Sequence, residues 1–81
     1  MEGAIIVEVM EEYFRATQLN PPFHSSHEGL AIILEEVEEL KAEVFKKRGE
    51  RSHQKMRDEA IQVAAMAVRF VHDICSEEVS I

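Results

Sequence analysis

Residues 25–49 read SSHEGLAIILEEVEELKAEVFKKRG, and the spacing within them decides the fold class. Leu30, Ile33, Val37, Leu40 and Val44 recur every three or four positions, the period of a helix with one apolar face. Ser25 stands three residues before Glu28, a capping-box pattern, so the helix is expected to begin at about Ser26. Lys46, Lys47 and Arg48 suit the negative end of the helix dipole, and Gly49 suits the position just past it. The spacing therefore predicts a helix over 26–48.

Upstream, Ile6, Val9, Met10, Tyr13 and Phe14 show the same period, and Pro21 with Pro22 must end that segment, which predicts a helix over 4–19. Downstream, Ser52 can cap a third helix over 53–75, with a frayed tail at 76–81. Alternating strand-like runs are short. The expectation is an all-α, three-helix subunit, a long helical hairpin plus an N-terminal helix, filling one domain over 1–81. The third helix carries two adjacent apolar stripes, one of Met56, Ala60, Val63, Ala67, Phe70 and Ile74, the other of Ile61, Ala64, Val68, Val71 and Cys75. Such a helix is covered on two sides. Its small residues Ala60, Ala64 and Ala67 also permit close approach by a symmetry-related copy, so an oligomeric helical bundle, a homodimer first, is expected.

The chain has 81 residues, 16 acidic against 9 basic, and a formal net charge of −7. A domain this short buries only about 60–65% of its unfolded surface, which again favours a partner copy. The surplus of negative charge argues against duplex nucleic acid and anionic membrane as partners, and a phosphate ligand would need a mediating cation. Met1 to Met10 carry Glu2 and Glu8 and lack the basic flank of a signal peptide, no apolar run is long enough to span a bilayer, and Cys75 is the lone cysteine. A cytoplasmic location is expected.

Five glutamates lie between positions 35 and 43. At roughly 100° per residue, Glu35 points away from the apolar stripe into solvent, while Glu36, Glu39 and Glu43 share one flank with Ile32 and Glu38 lies on the other. On the third helix Glu59, Gln62, Arg69 and Asp73 form a polar line with Met66. Carboxylates three residues apart on one helix can converge on a divalent ion, and a facing pair can complete an oxygen shell of the kind Mg2+ prefers. Glu36 with Glu39 and Glu59 with Gln62 have that spacing. The competing reading is a solvated acidic face with Lys41, Lys46 and Lys47 as ion-pair partners.

Glu35-Glu36-Val37-Glu38-Glu39, followed after about twenty residues by Glu59-Ala60-Ile61-Gln62, resembles the paired EExxE and ExxD motifs of the all-α MazG-like nucleoside triphosphate pyrophosphohydrolases. His27-Glu28-Gly29 leading into Ile33 to Leu40, and Gln62 to Phe70, are similar to short phage and prokaryotic members, so the likeness runs from Ser26 to Asp73. The resemblance implies a helical dimer or tetramer in which Mg2+, or Mn2+, held by the motif acids binds a nucleotide triphosphate. It also implies cleavage between the α and β phosphates to give a monophosphate and pyrophosphate. Carried over by position, Glu36, Glu39 and Glu59 are metal ligands and Gln62 stands where the family has Asp. Glu35 or Glu39 then orients or deprotonates the attacking water. An amide can ligate a metal but is neither charged nor basic, so a non-catalytic binding or assembly module with a degenerate metal site is the alternative. Asp73 and Glu43 lie on the same stripes and could compensate.

Arg69 shares the line of Glu59 and Gln62 and is a candidate for substrate phosphate, with an ion pair to Asp73 as the alternative. His24, His27, His53, His72 and Cys75 fall into no zinc spacing, and the Glu-x-x-His pair of Glu50 and His53 sits in a connection rather than facing a bundle core.

Overall fold

The computed structural model describes residues 2–76. It contains helices α1 (Glu2–Leu19), α2 (Ser26–Val44) and α3 (His53–Phe70), a 3-10 turn at Arg48–Glu50, and a π-helical turn at Val71–Cys75 that prolongs α3. No strand occurs among the described residues. The expected fraying of 77–81 lies outside them. No helix of the described residues is long and apolar enough to cross a membrane.

Local chemistry sets the helix starts. Ser25, in extended conformation, accepts from the Glu28 N–H through its Oγ at 3.1 Å, and Glu28 Oε1 accepts from the His24 N–H at 2.6 Å. The box thus closes one residue earlier than its usual form, in which the glutamate reaches back to the cap residue itself. Ser52 caps α3 through the Lys55 N–H at 3.1 Å. α1 begins two residues before the expected Ala4, and α2 stops at Val44 rather than Arg48. The early stop has a visible cause. The Phe45 N–H closes onto the Lys41 carbonyl, Arg51 Nε donates to the Lys46 carbonyl at 3.2 Å, and the Glu50 N–H donates to Lys47 at 2.7 Å. Only the Lys41 carbonyl belongs to α2; the bonds to Lys46 and Lys47 hold the turn that replaces the helix beyond Val44, and Gly49 has a negative φ inside the 3-10 turn instead of closing the helix.

α3 is the central element and packs against both α1 and α2. The core comprises Tyr13, Ala16, Phe23, Ala65 and Met66, with Val9, Met10, Ile32, Ile33, Val68, Phe70 and Ile74 against it. Of the apolar stripe expected to bury α2, only Ile33 joins that core, while Leu30, Val37 and Val44 are exposed. α2 is rotated so that Gly29, Ile32 and Glu36 approach α3 and the 20–24 connection. A Cβ at Gly29 would sit 2.7 Å from Phe70 Cδ2 and 3.0 Å from Phe23 Cδ2, so glycine is what lets the helix backbone come this close. α1 shows the same partial agreement, because Val9, Met10 and Tyr13 face inward while Ile6 and Phe14 are exposed. On α3 the buried residues are Ala65, Met66 and Arg69, so the polar line enters the interface and Ala60, Ala67 and Val71 face outward. Within one chain, therefore, α1 and α2 cover two sides of α3 and leave Ala60, Ala67 and Val71 exposed.

The connection after α1 is tied to the far end of α3. Arg69 Nη2 donates to the Pro21 carbonyl at 3.0 Å, its guanidinium lies 4.2 Å over the Phe23 ring, and the Phe23 N–H donates to Asp73 Oδ2 at 3.0 Å. These contacts bury Phe23 although it sits in a segment without regular structure.

Candidate metal centre

Rotation of α2 brings its Glu36 and Glu39, one turn apart, against Glu59 near the start of α3. Each offers a carboxylate oxygen within 4.8 Å of the other two. Glu36 and Glu59 are half-buried and Glu39 is exposed, so the cluster lies at the edge of the α2–α3 seam. Glu59 Oε2 is buried with no hydrogen-bond partner. Burial pushes Glu36 up to about 7, helped by the Glu39 charge and a shared hydrogen bond with Glu39, with Glu59 and Glu35 adding repulsion. Glu59 is raised as well, by burial first, then by its hydrogen bond to Glu39 and the charges of Glu39, Glu43 and Asp58. Glu36 and Glu59 therefore resist ionisation in this crowded corner, and a proton or a cation relieves them.

The remaining candidates distribute unevenly around this cluster. Glu35 is exposed, as its angular position requires, and reaches Glu36 only through its charge. Gln62, one turn beyond Glu59, lines a cavity of about 390 Å3 together with Glu36, Glu12, Arg15, Phe23 and Arg69. Glu43 is close enough for its charge to act on Glu59, and its Oε1 lies 2.9 Å from Lys46 Nζ. Asp73 is committed elsewhere. Burial alone would raise it, yet hydrogen bonds from His72 and the Phe23 N–H, with the Arg69 charge, hold it below the ordinary carboxylate range.

Arg69 is 4% exposed and spends its Nη atoms on the Pro21 carbonyl and on Met66 Sδ at 3.5 Å. Its Nε is buried without a partner. Its role in the subunit is to anchor the 20–24 connection, and the ion pair with Asp73 is replaced by a shared grip on Phe23 and Pro21. His24 lies 3.6 Å from Glu28, and His72 Nδ1 lies 2.9 Å from Asp73 Oδ1.

Sequence reasoning missed Glu12 and Arg15. Arg15 Nε and Nη2 both bond the Glu12 carboxylate, the first at 3.0 Å, and this pairing, with the Gln62 amide beside it, holds Glu12 below its ordinary range against the opposing effect of burial. Glu8, Glu12 and Arg15 form a polar line at four- and three-residue spacing on α1, the same type of signal as the line on α3. Glu8 is paired with Arg57 of α3, so this line faces α3 as well. No family model, curated protein or solved structure matches this chain.

Proposed function

We propose that the chain is a short MazG-like nucleotide pyrophosphohydrolase that cleaves a nucleoside triphosphate to the monophosphate and pyrophosphate with Mg2+ or Mn2+. The observation that carries the reading is the meeting of Glu36, Glu39 and Glu59, three motif positions on two helices, within 4.8 Å. Three carboxylates supply the hard oxygen donors that such ions take, and the unpartnered Glu59 Oε2 lacks the hydrogen bond a buried oxygen normally has. The donor set therefore fits the group. When bound, a divalent ion supplies Lewis-acid polarisation of phosphoryl oxygens and lowers the pKa of a bound water. Glu36 and Glu59 are the half-buried ligands, Glu39 the exposed one, and Gln62 a neutral fourth donor. Glu39, open to solvent beside the other two, is better set than the outward Glu35 to orient a water and take its proton.

Exposed apolar residues on α2 and just past its end, among them Leu34, Val37 and Phe45, support a homodimer or tetramer as the working form. The test of the reading is Mg2+-dependent pyrophosphate release across a panel of nucleotides, with Glu36→Gln and Glu59→Gln expected to lose at least about 100-fold in rate. Variants as active as the parent chain would refute it. Gln62 favours a second reading, a binding or assembly module without turnover. That reading expects metal and nucleotide to bind with no pyrophosphate released.

A further inference from the structure

We propose that Arg15 on α1 is the phosphate-contacting guanidinium of the cavity beside the acidic cluster, with Glu12 as the counter-ion that a metal-bound diphosphate or triphosphate displaces. The proposal rests on the metal reading above and adds the group that would hold the far end of the ligand. The cavity of about 390 Å3 has Glu36 of the cluster on its wall, and two guanidiniums, Arg15 and Arg69, line it as well. Arg69 is 4% exposed, stacked on Phe23 and bonded to Pro21, so a phosphate cannot take it without dismantling the connection. Its Nε nevertheless lacks a partner.

Arg15 is the accessible cation. Its side chain is 59% exposed, and Nε and Nη2 are the atoms that bond Glu12. A guanidinium has five N–H donors in a planar fork, so three remain for phosphate oxygens even before Glu12 is displaced. The Glu12 pair is local, three residues apart on one helix, and its Arg15 side is open to solvent, so the fork can be shared with or exchanged for another bidentate anion while Glu12 stays against α3. Glu12, Glu28 and Glu36 line the same cavity, which repels a bare anion. A phosphate chain that carries its own divalent ion meets the acids through the ion and Arg15 through its oxygens. The ligand class is thus a metal-complexed polyphosphate, nucleotide or inorganic.

The experiment is calorimetric titration of the full chain with inorganic pyrophosphate in excess Mg2+, and separately with Mg2+ alone. Arg15→Ala is expected to weaken pyrophosphate binding about 10- to 100-fold, the range for a lost charge-assisted bond, and to leave binding of Mg2+ alone unchanged. Arg15→Lys, which keeps the charge and loses the fork, is expected to fall between. Glu12→Gln should tighten pyrophosphate binding several-fold by removing the competing anion. Parental pyrophosphate affinity in Arg15→Ala overturns the proposal. So does loss of Mg2+ binding in Glu12→Gln, which would make Glu12 a metal ligand instead of a counter-ion. A parent chain that binds pyrophosphate through Arg15 but ignores Mg2+ alone would instead sink the metal reading, and one that binds neither would sink both.

Discussion

Replacing Glu36 by Gln removes one charge from three crowded carboxylates while keeping the shape of the side chain, and its two effects on stability should have opposite signs. Burial and the neighbouring acids move Glu36 from 4.5 to about 7. The native chain therefore holds a proton that the unfolded chain gives up between those two values, and the stabilisation present below pH 4.5 is lost as pH rises through 7. Fully sheltered from water, such a displacement would correspond to roughly 3 kcal/mol, and the solvent at this half-buried edge reduces it to about 1 kcal/mol. For a domain of this size about 1 kcal/mol is about 4–8 °C in Tm. Without metal at pH 8, Glu36→Gln should therefore melt higher than the parent by about that amount, because the amide can donate to Glu39 or Glu59 where the carboxylate repelled them. At pH 4.5, where Glu36 is protonated, the difference should vanish.

Divalent metal should reverse the order. With Mg2+ or Mn2+ at about ten times its dissociation constant, mass action raises the parent chain by about 1.4 kcal/mol and leaves Glu36→Gln nearly unmoved. The assay is a pair of thermal melts at pH 4.5 and pH 8, with and without metal, at one protein concentration. A variant that melts lower than the parent in the absence of metal at pH 8 would refute the claim that the acids repel one another in the fold. A variant that keeps the full metal shift would refute the assignment of Glu36 as a ligand.

Gly29→Ala should destabilise the chain by about 1 kcal/mol in urea unfolding, because a Cβ 2.7 Å from the Phe70 ring forces overpacking that exceeds the gain in helix propensity; a more stable variant would show that Phe70 moves freely. Asp73→Asn should cost about 1–3 kcal/mol at pH 7 and free Phe23 from the connection, read by urea unfolding and by Phe23 ring chemical shifts. Because the folded chain holds Asp73 below its ordinary 3.8, the parent chain's advantage over this variant should be full above that value and fade as pH falls beneath it. Leu34→Lys, on the exposed face of α2, should shift the chain toward monomer in sedimentation experiments without lowering its helix content.

What the sequence disclosed followed the range of each interaction. Ser25, Ser52 and the Pro21-Pro22 pair act on neighbours within a few residues, so the starts of α2 and α3 and the end of α1 could be read directly. The end of α2 could not, because the chain leaves the helix at Val44 for a turn in which Arg51, from beyond Gly49, holds the Lys46 carbonyl. Nor could the part played by Arg69, whose partners Pro21 and Phe23 lie some fifty residues away in sequence. The rotation of α2 is the instructive case. Its strongest apolar direction, through Leu30, Val37 and Val44, does not face α3; the line that does runs through Ile32 and Glu36. Periodicity ranks faces by hydrophobicity and so misorients this helix, yet the same angular bookkeeping correctly separates Glu36 and Glu39 from the outward Glu35. Taken alone, the subunit crowds like charges at one edge and leaves apolar surface open on another. Neither feature lowers the free energy of an isolated chain. On the proposed reading each is relieved from outside, the acids by a cation and the apolar face by a second copy. The orientation of α2, which the strength of its apolar stripe did not foretell, then follows from what the helix must bind.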